Sequence, residues 1–259
     1  MAAEGSSEVL LVFCRHGETE ANKLGIIQGS GCDFPLTTRG MEDALITGAA
    51  LKATGLETCW DGVFSSPLKR AVTTTRTMLA SSGAASYIEI EEIETLRERG
   101  AGVLEGQCFS VSMEEAKRLA AEEGIDNSGF ESVADVCQRH IEFLNFVKAR
   151  KFQHGSKLLC VSHGAFISLF LKHCCSTGET RSMDNCSFTC VRFLMSPDMH
   201  KCIPEVLNDT DHLYPPDSTD ENALVHFDRD DAGHDGSCKE QTALDFIKSY
   251  QPLRTKGEL

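Results

Sequence analysis

The sequence predicts an α/β protein with three layers, α/β/α, built around a mostly parallel central sheet. Apolar runs of strand length alternate along the chain with segments that carry apolar residues at helical spacing. Strands that alternate with helices in this way form a largely parallel sheet that helices cover on both faces. The connections between the parallel strands are then expected to be right-handed.

Five strands are predicted. The run at residues 8–14 is nearly all apolar, which is typical of a strand buried on both faces. Later runs at residues 62–65, 87–91, 158–162 and 187–195 are rich in apolar, β-branched or aromatic side chains. Of these, residues 158–162 are expected to form the central strand.

Five helices are predicted between and after these strands. The first opens at residues 36–40, and Pro67 begins the second at a position that helices tolerate in their first turn. The apolar stripe expected for the first helix is Met41, Ala44, Leu45, Gly48 and Ala49. Capping-box patterns at Ser112 and Ser132 begin two more helices, and the last is expected at residues 165–174.

Two details of these segments bear on the site. The segment after Asn22 contains several glycines and a proline, so it is expected to form a loop over the end of the first strand. His140 falls on the apolar face of the helix that Ser132 begins, where we expect a structural histidine rather than a ligand.

Composition restricts the domain organisation and the partners. The chain has 259 residues and a formal net charge of −14, which disfavours nucleic acid and anionic membranes as partners. Between Glu205 and Glu240 stand eleven acids and two basic residues, which accounts for nine of the fourteen excess charges. We therefore expect one domain at residues 1–213 and an acidic tail at 214–259. The tail is expected to be partly extended, with apolar residues at helical spacing over 242–250.

Location and metal content can also be predicted. No apolar run approaches the roughly 20 residues that span a bilayer, and residues 1–8 do not resemble a secretory signal. A cytoplasmic location is therefore expected. The twelve cysteines contain no Cys-x-x-Cys pair, so we expect reduced thiols and no structural metal site.

The chemistry is concentrated at the ends of two predicted strands. Arg15, His16 and Gly17 follow the first strand, and His163 and Gly164 follow the strand at 158–162. Polar groups at the carboxyl ends of parallel strands share one edge of the sheet, where such folds bind ligands. Arginine offers a rigid fork of donors for phosphate oxygens, and histidine changes its charge near neutral pH.

Four segments together carry a resemblance to a known family. Residues 12–19, 65–74, 96–106 and 161–165 resemble, in order, the signature blocks of the histidine phosphatase superfamily, in its phosphoglycerate mutase-like branch. The resemblance implies the phosphoglycerate mutase-like fold over residues 1–213.

The resemblance also implies a role for each site residue. His16 is the implied nucleophile and forms a phosphohistidine, with its second ring nitrogen donating to a backbone carbonyl. Arg15, Arg70 and His163 hold the phosphoryl group. Glu98 is the implied proton donor, and Glu105 in the same block is the alternative.

The implied substrate-binding set lies around these residues. It comprises Asn22, Gln28, Gly29 and Gly164. Glu131 and Ser132 match a short family element that is expected to support the site. Arginine and histidine supply the positive charge, so no metal and no organic cofactor are implied.

Finer features resemble the TIGAR-type fructose-2,6-bisphosphatases of the superfamily. They lie at residues 26–29, 96–99 and 161–165. This resemblance implies hydrolysis of the 2-phosphate of fructose 2,6-bisphosphate and a lower glycolytic flux. The alternatives are a phosphoglycerate mutase or a 2,3-bisphosphoglycerate phosphatase. A catalytically weak interaction protein that acts through its tail is the alternative of another class. The expected partner is a small phosphorylated metabolite, and protein partners are not indicated.

Overall fold

The computed structural model describes residues 7–53, 60–86, 88–123, 129–178, 182–196 and 200–214. The strands are β1 (Ser7–Arg15), β2 (Gly62–Ser65), β3 (Ile90–Glu92), β4 (Ser156–Ser162), β5 (Phe188–Met195) and β6 (His200–Asp209). The helices are α1 (Glu20–Leu24), α2 (Thr38–Ala53), α3 (Lys69–Ser82), α4 (Met113–Glu123), α5 (Val133–Ala149) and α6 (Gly164–Cys174).

Parts of the sequence-based expectations fall outside the described residues. The acidic tail, apart from Tyr214, and the helical spacing at 242–250 lie there. None of the helices in the described segments is long and apolar enough to cross a bilayer. The ten cysteines in these segments are all free thiols.

The six strands form one sheet in the order β3-β2-β4-β1-β5-β6. The four strands from β3 to β1 pair in parallel, whereas β5 and β6 pair antiparallel at the other side. The α/β class and the mostly parallel sheet are therefore confirmed. The predicted central strand, β4, lies between β2 and β1.

Burial of β1 on both faces explains its apolar sequence. Successive side chains of a strand point to opposite faces. Leu10 and Val12 accordingly belong to one buried cluster, and Leu11 and Phe13 belong to the other. Helices α2 and α3 supply side chains to the first cluster, and α5 and α6 supply them to the second, which gives the three layers.

Two elements were missed from the sequence. The strand β6 carries polar residues and Pro204, which argue against a strand in the middle of a sheet. It is tolerated because β6 is the edge strand and pairs only with β5. The helix α1 has five residues and includes Asn22, so the loop expected after Asn22 begins only at Gly25. One turn is too short to show a helical period.

The expected stripe of α2 is partly wrong. Ala44 and Gly48 are buried, but Met41 and Leu45 are exposed. The buried face comprises Gly40, Ala44, Thr47, Gly48 and Leu51. A Cβ atom at Gly48 would lie 2.1 Å from the Met78 carbonyl oxygen, so α2 approaches the backbone of α3 closely. Because the two helices lie this close together, small residues such as Ala44 and Gly48 occupy the contact, and the larger Met41 and Leu45 lie on the exposed face.

His140 is a structural histidine, as expected. Its ring is fully buried beside Phe166 and Phe170, and its Nε2 donates to the Phe166 carbonyl oxygen over 3.1 Å. Burial lowers the pKa of His140 to about 3, because the imidazolium would lose its water. The ring therefore stays neutral in the folded protein at pH values where it is protonated in the unfolded chain.

This difference predicts a pH-dependent stability. Below its ordinary pKa of about 6.5, His140 binds a proton only in the unfolded state, so stability falls as pH falls. Between pH 7.5 and pH 5, His140 should account for a loss of about 2 kcal/mol. Urea denaturation of the protein and of His140→Gln measures this, since the free-energy difference between them should shrink by that amount. A difference that does not change with pH would contradict the assignment.

Candidate active site

The two histidines predicted to converge lie side by side. Arg15 is in register with Ser162 where β1 pairs with β4, so His16 and His163 leave the sheet at the same edge. The His16 amide donates to the Ser162 carbonyl oxygen over 3.0 Å. The ring centroids of the two histidines are 5.0 Å apart, and both side chains are buried.

The His16 ring is held neutral and oriented. Its Nδ1 donates to the Gly17 carbonyl oxygen over 2.8 Å, as the sequence implied, which leaves the lone pair on Nε2. The pKa of His16 lies well below its usual value. Burial is the main cause, and the charges of Arg70 and Arg15 add to it. A neutral imidazole with a free Nε2 lone pair is the form that a nucleophile requires.

The backbone at Gly17 allows this arrangement. A Cβ atom there would lie 2.6 Å from the carbonyl oxygen of Gly40, so no larger residue fits. The Gly17 amide donates to Thr74 Oγ1 over 2.9 Å, which ties the end of β1 to α3. A larger residue at position 17, or loss of the hydrogen bond to Thr74, would move the His16 carbonyl group and the His16 ring.

The two arginines beside His16 are fixed by neighbouring groups. Arg15 donates from Nη1 to the Met183 carbonyl oxygen. Arg70 is 1% exposed and donates to the carbonyl oxygens of Gly29 at 2.7 Å and Cys32 at 3.0 Å. Within the described residues, the buried Nε of Arg70 has no hydrogen-bond partner. That N–H is a donor that an oxyanion could use.

Asp33 changes the expected role of the α3 N-terminus. Arg70 lies in the first turn of α3, where backbone amides without helical partners attract anions. The amides of Lys69 and Arg70 instead donate to the Asp33 carboxylate over 2.5 and 3.3 Å. Asp33 also pairs with the Arg70 guanidinium over 3.1 Å. The anion at this helix end is therefore a side chain, and Arg70 itself remains as the candidate phosphate ligand.

A cavity of about 470 Å³ opens in front of His16. Its lining contains every predicted site residue except His163: Arg15, His16, Asn22, Gln28, Gly29, Arg70, Glu98 and Gly164. His163 is not among the lining residues, and its Nε2 is hydrogen-bonded to Ser66 Oγ over 2.7 Å. The pKa of His163 is also well below its usual value, first through burial and then through the charge of Arg70.

Helix α1 and the glycine-rich loop after it supply one wall of the cavity. Asn22 accepts from the Thr19 amide over 3.1 Å through Oδ1, so its Nδ2 remains to face a ligand. Gly29 has a φ of 55°, which favours glycine. A Cβ atom at Gly29 would lie 2.1 Å from Glu105 Oε1.

The structure separates the two candidate acids. Glu98 lines the cavity, and its carboxylate accepts from the amides of Arg99 at 2.8 Å, Phe166 at 3.2 Å and Ala165 at 3.3 Å. Glu105 is outside the lining and accepts from the amides of Ser30 and Ala101. Glu105 therefore links the loop that contains Ser30 to the loop that contains Ala101. Glu98 is therefore the carboxylate placed to reach a ligand.

An ion pair between the buried Arg139 and the half-buried Glu131 holds the Glu98 loop, and we call these two residues the loop clamp. Arg139 donates to both Glu131 carboxylate oxygens at 2.9 Å and to the carbonyl oxygens of Thr95 and Arg97, also at 2.9 Å. Burial works to raise the pKa of Glu131, but hydrogen bonds led by that from Arg139 outweigh it, so the pKa is lowered. The sequence had placed Glu131 in a supporting element, and this contact agrees.

Several residues around the site were missed from the sequence. They are Ser66, which contacts His163, Asp33, which contacts Arg70, Arg139 in the loop clamp, and Asn185, whose Nδ2 donates to the His16 carbonyl oxygen over 2.8 Å. Ser66 lies in the motif block at 65–74, but its partner His163 is 97 positions away in the chain. The other three lie outside the motif blocks, so no local pattern marks them. Within the segments that the structure describes, no group of three or more histidine, cysteine or carboxylate side chains could hold a metal ion.

The fold and this constellation define a histidine-centred enzyme of phosphoryl transfer, and comparison with known families agrees. The family model for the histidine phosphatase superfamily (branch 1) matches residues 11–197. The match covers more than half of the chain. The chain belongs to this superfamily, as a phosphatase or a mutase.

Curated relatives include both kinds of enzyme. A Danio rerio protein named Fructose-2,6-bisphosphatase TIGAR B is 31% identical over 196 residues, which cover 63% of this chain and 73% of that protein. A 2,3-bisphosphoglycerate-dependent phosphoglycerate mutase from Parvibaculum lavamentivorans is 34% identical over 164 residues, which cover 60% of this chain and 74% of that protein. These relatives support the family without fixing the substrate.

Solved structures give the same result. A phosphoglycerate mutase from Bacillus anthracis aligns with a TM-score of 0.63 at 24% identity, over 80% of this chain and 96% of that one, which shows the shared fold. A phosphoserine phosphatase from Entamoeba histolytica, crystallised with 3-phosphoglyceric acid, aligns with a TM-score of 0.59 at 28% identity. That alignment covers 79% of this chain and 99% of that one. The phosphoglycerate mutase-like fold is thereby confirmed.

The loop clamp predicts a contrast between two arginines that share Glu131. Arg139→Gln leaves the half-buried Glu131 carboxylate without its main partner, so it should destabilise the protein by about 2 kcal/mol and lower kcat. Arg97 also pairs with Glu131, but its side chain is 36% exposed, so Arg97→Gln should cost less than about 1 kcal/mol. Urea denaturation and steady-state kinetics measure both variants. Equal losses from the two substitutions would contradict the clamp.

Proposed function

We propose that this protein is a phosphatase that hydrolyses a phosphomonoester of a small metabolite through a phosphohistidine on His16. The observation that carries the proposal is the neutral, oriented His16 ring in a cavity that Arg15 and Arg70 also line. Guanidinium groups fixed before the reaction stabilise the charge that develops on the phosphoryl oxygens. Asn22, Gln28, Gly29 and Gly164 complete the proposed substrate site.

The first half of the reaction forms the phosphoenzyme. The His16 Nε2 lone pair attacks phosphorus, and the bond from phosphorus to the alcohol oxygen breaks. Glu98, in its protonated form, gives its proton to that oxygen as the alcohol leaves. Arg15 and Arg70 of the lining, and His163 through the Nδ1 that has no hydrogen-bond partner among the described residues, are proposed to hold the phosphoryl group in this step.

The second half regenerates the enzyme. The Glu98 carboxylate takes a proton from a water molecule as the water oxygen attacks phosphorus. The bond from phosphorus to Nε2 breaks, inorganic phosphate leaves, and Glu98 is again protonated. His16 returns to its neutral form, so the cycle requires neither a metal nor an organic cofactor.

Fructose 2,6-bisphosphate is the proposed substrate, with hydrolysis at its 2-phosphate. The relative named Fructose-2,6-bisphosphatase TIGAR B supports this choice. The proposal includes a cytoplasmic role in which loss of this metabolite lowers glycolytic flux. A mutase is the second candidate, because the chain is 34% identical to a protein named as a phosphoglycerate mutase.

The His16→Ala variant tests the nucleophile. Phosphate release from fructose 2,6-bisphosphate should fall by about 10⁴-fold or more, as for other enzymes that lose a nucleophile. A labelled phosphoenzyme should be trapped by rapid quenching of the intact protein and be missing from the variant. His140→Gln, which alters a buried histidine outside the cavity lining, is the matched control and should form the phosphoenzyme.

The same assay separates the alternatives. Fructose 1,6-bisphosphate, 2,3-bisphosphoglycerate and 3-phosphoglycerate are compared with fructose 2,6-bisphosphate. Transfer of phosphate between glycerate positions without net release would identify a mutase. Preferred hydrolysis of 2,3-bisphosphoglycerate would keep the mechanism and change the substrate. An effect in cells that survives His16→Ala would favour the interaction protein that acts through its tail.

The Glu98→Gln variant tests the acid. The amide keeps one oxygen for the Arg99 and Phe166 amides, which share Oε1 in Glu98, but it cannot transfer a proton, so kcat on alkyl phosphates should fall by about 10²- to 10⁴-fold. Formation of the phosphoenzyme from p-nitrophenyl phosphate should fall far less, because that leaving group needs no proton. Rapid-quench kinetics with both substrates measures the contrast.

The alternative acid supplies the control for this experiment. Glu105→Gln should affect the two kinds of leaving group equally, since Glu105 contacts loop amides outside the cavity lining. A dependence on the leaving group in Glu105→Gln, without one in Glu98→Gln, would reverse the assignment.

A further inference from the structure

Two cysteines lie in contact at the end of α6 that is remote from His163. Helix α6 begins directly after His163 and ends at Cys174, so its last residue lies about 15 Å from its first. Cys175 caps the helix, and its side chain shares a hydrogen bond with the side chain of Cys202 in the edge strand β6. Both pack at the buried cluster to which α5 and α6 contribute. Neither cysteine is among the described residues that line the cavity.

The backbone is held on both sides of this contact. The Cys175 amide donates to the Leu171 carbonyl oxygen over 3.2 Å, which closes the last turn of α6. Cys202 is paired with Phe193 in the antiparallel register of β5 and β6. A disulfide requires two cysteines whose side chains face each other at short range, and side chains that share a hydrogen bond meet this condition. Rotation of the two side chains therefore suffices to bring the sulfur atoms together.

The two sulfur atoms differ in access and in charge. Cys175 is half-buried, whereas Cys202 is 7% exposed. The hydrogen bond with Cys175, burial and the charge of Cys175, in that order, raise the pKa of Cys202. Cys202 therefore keeps its proton and donates it to the hydrogen bond, while Cys175 is the sulfur that a reagent in solvent reaches. Because a thiolate is the reactive form of cysteine, Cys175 is the nucleophile of the pair.

Neighbouring cysteines do not combine contact with access in this way. Burial, followed by the charges of Cys202 and Cys137, raises the pKa of Cys174 to about 12, so its thiolate is scarce at neutral pH. Cys14 and Cys186 are also close neighbours, because the charge of Cys186 adds to burial in raising the pKa of Cys14. Both are fully buried, so a reagent in solvent does not reach them. We call Cys14 and Cys186 the buried pair.

We propose that Cys175 and Cys202 form a reversible disulfide when a hydroperoxide, such as hydrogen peroxide, oxidises the protein. The Cys175 sulfur attacks one peroxide oxygen, the O–O bond breaks, and a sulfenic acid and one water form. The Cys202 sulfur then attacks the Cys175 sulfur, and the S–O bond breaks. The hydroxyl group leaves with the Cys202 proton as a second water. The two thiols are oxidised, and the peroxide is reduced.

The bond would close a loop over residues 176–201, the segment that supports the proposed nucleophile. Within it, the Met183 carbonyl oxygen accepts from Arg15, and Asn185 Nδ2 donates to the His16 carbonyl oxygen. A cross-link between the ends of a segment removes conformational entropy from the unfolded chain. The oxidised protein should therefore keep this segment folded to a higher temperature.

Peptide mapping of the intact protein tests the disulfide. The protein is treated with a small excess of hydrogen peroxide, the remaining thiols are alkylated in denaturant, and trypsin digestion follows without reduction. We expect peptides 173–181 and 202–229 to be joined, and dithiothreitol to separate them. The buried pair is the matched control, and both of its cysteines should be recovered as alkylated thiols.

Variants assign the two sulfur atoms. The link should be missing from Cys175→Ser and from Cys202→Ala but remain in Cys174→Ser, which removes the neighbouring thiol. In Cys202→Ala the sulfenic acid has no resolving thiol, so dimedone should label Cys175. Because Cys175 is half-buried, Cys175→Ser keeps the test valid if the substitution at the more buried Cys202 prevents folding.

Thermal denaturation measures the effect of the bond. The Tm of the peroxide-treated protein should exceed that of the reduced protein by about 5 °C. Dithiothreitol should abolish this difference, and Cys175→Ser should not show it.

The contrary outcomes are equally specific. A link through Cys174, a Cys175 that does not react with peroxide, or a Cys175 converted to sulfinic acid without any link would overturn the proposal. So would a disulfide that leaves Tm unchanged. None of these measurements uses phosphate release, so their outcome is independent of the proposed function.

Discussion

Parallel pairing of β1 with β4 is the constraint on which the site depends. The register places Arg15 opposite Ser162, so the two following residues, His16 and His163, leave the sheet together. A slip of one residue would turn every side chain of the strand to the other face. The apolar side chains of β1 fill both buried clusters, so such a slip would also expose the core. The packing that stabilises the sheet therefore fixes the distance between the two imidazoles.

Charge in this site is arranged before any ligand arrives. Burial and two neighbouring guanidiniums keep the His16 ring neutral, and the Gly17 carbonyl oxygen selects the nitrogen that carries the proton. A buried guanidinium is costly unless it is hydrogen-bonded. Arg70 satisfies this requirement with the Asp33 carboxylate and two carbonyl oxygens. These contacts leave the Arg70 Nε without an acceptor among the described residues, and this N–H is the donor that a phosphoryl group would use.

The loop after β3 connects this phosphoryl site to the rest of the cavity. Amides at the start of α6 hold the Glu98 carboxylate, and the loop clamp holds the carbonyl oxygens of Thr95 and Arg97, which precede it in the chain. Arg99 comes next in the chain and stacks on Phe130. One loop thus carries both the proposed acid and a guanidinium group of the cavity wall. Relatives in this superfamily include phosphatases and mutases, and differences in such a loop are a physical route to different substrates.

The sequence by itself determined the α/β class, the pairing of two His-Gly strand ends and eight of the residues that line the cavity. These follow from local patterns: an apolar run with no polar face, a glycine at a turn, and motif blocks of fixed spacing. Only the tertiary structure showed that the amides of α3 are occupied by Asp33, that Glu105 is outside the cavity lining, and that β6 is a strand. Asp33, Glu105 and Pro204 each depend on neighbours far away in the chain. Side-chain hydrogen bonds across such distances leave no period in the sequence, and the tertiary structure alone decides which donor each carboxylate meets.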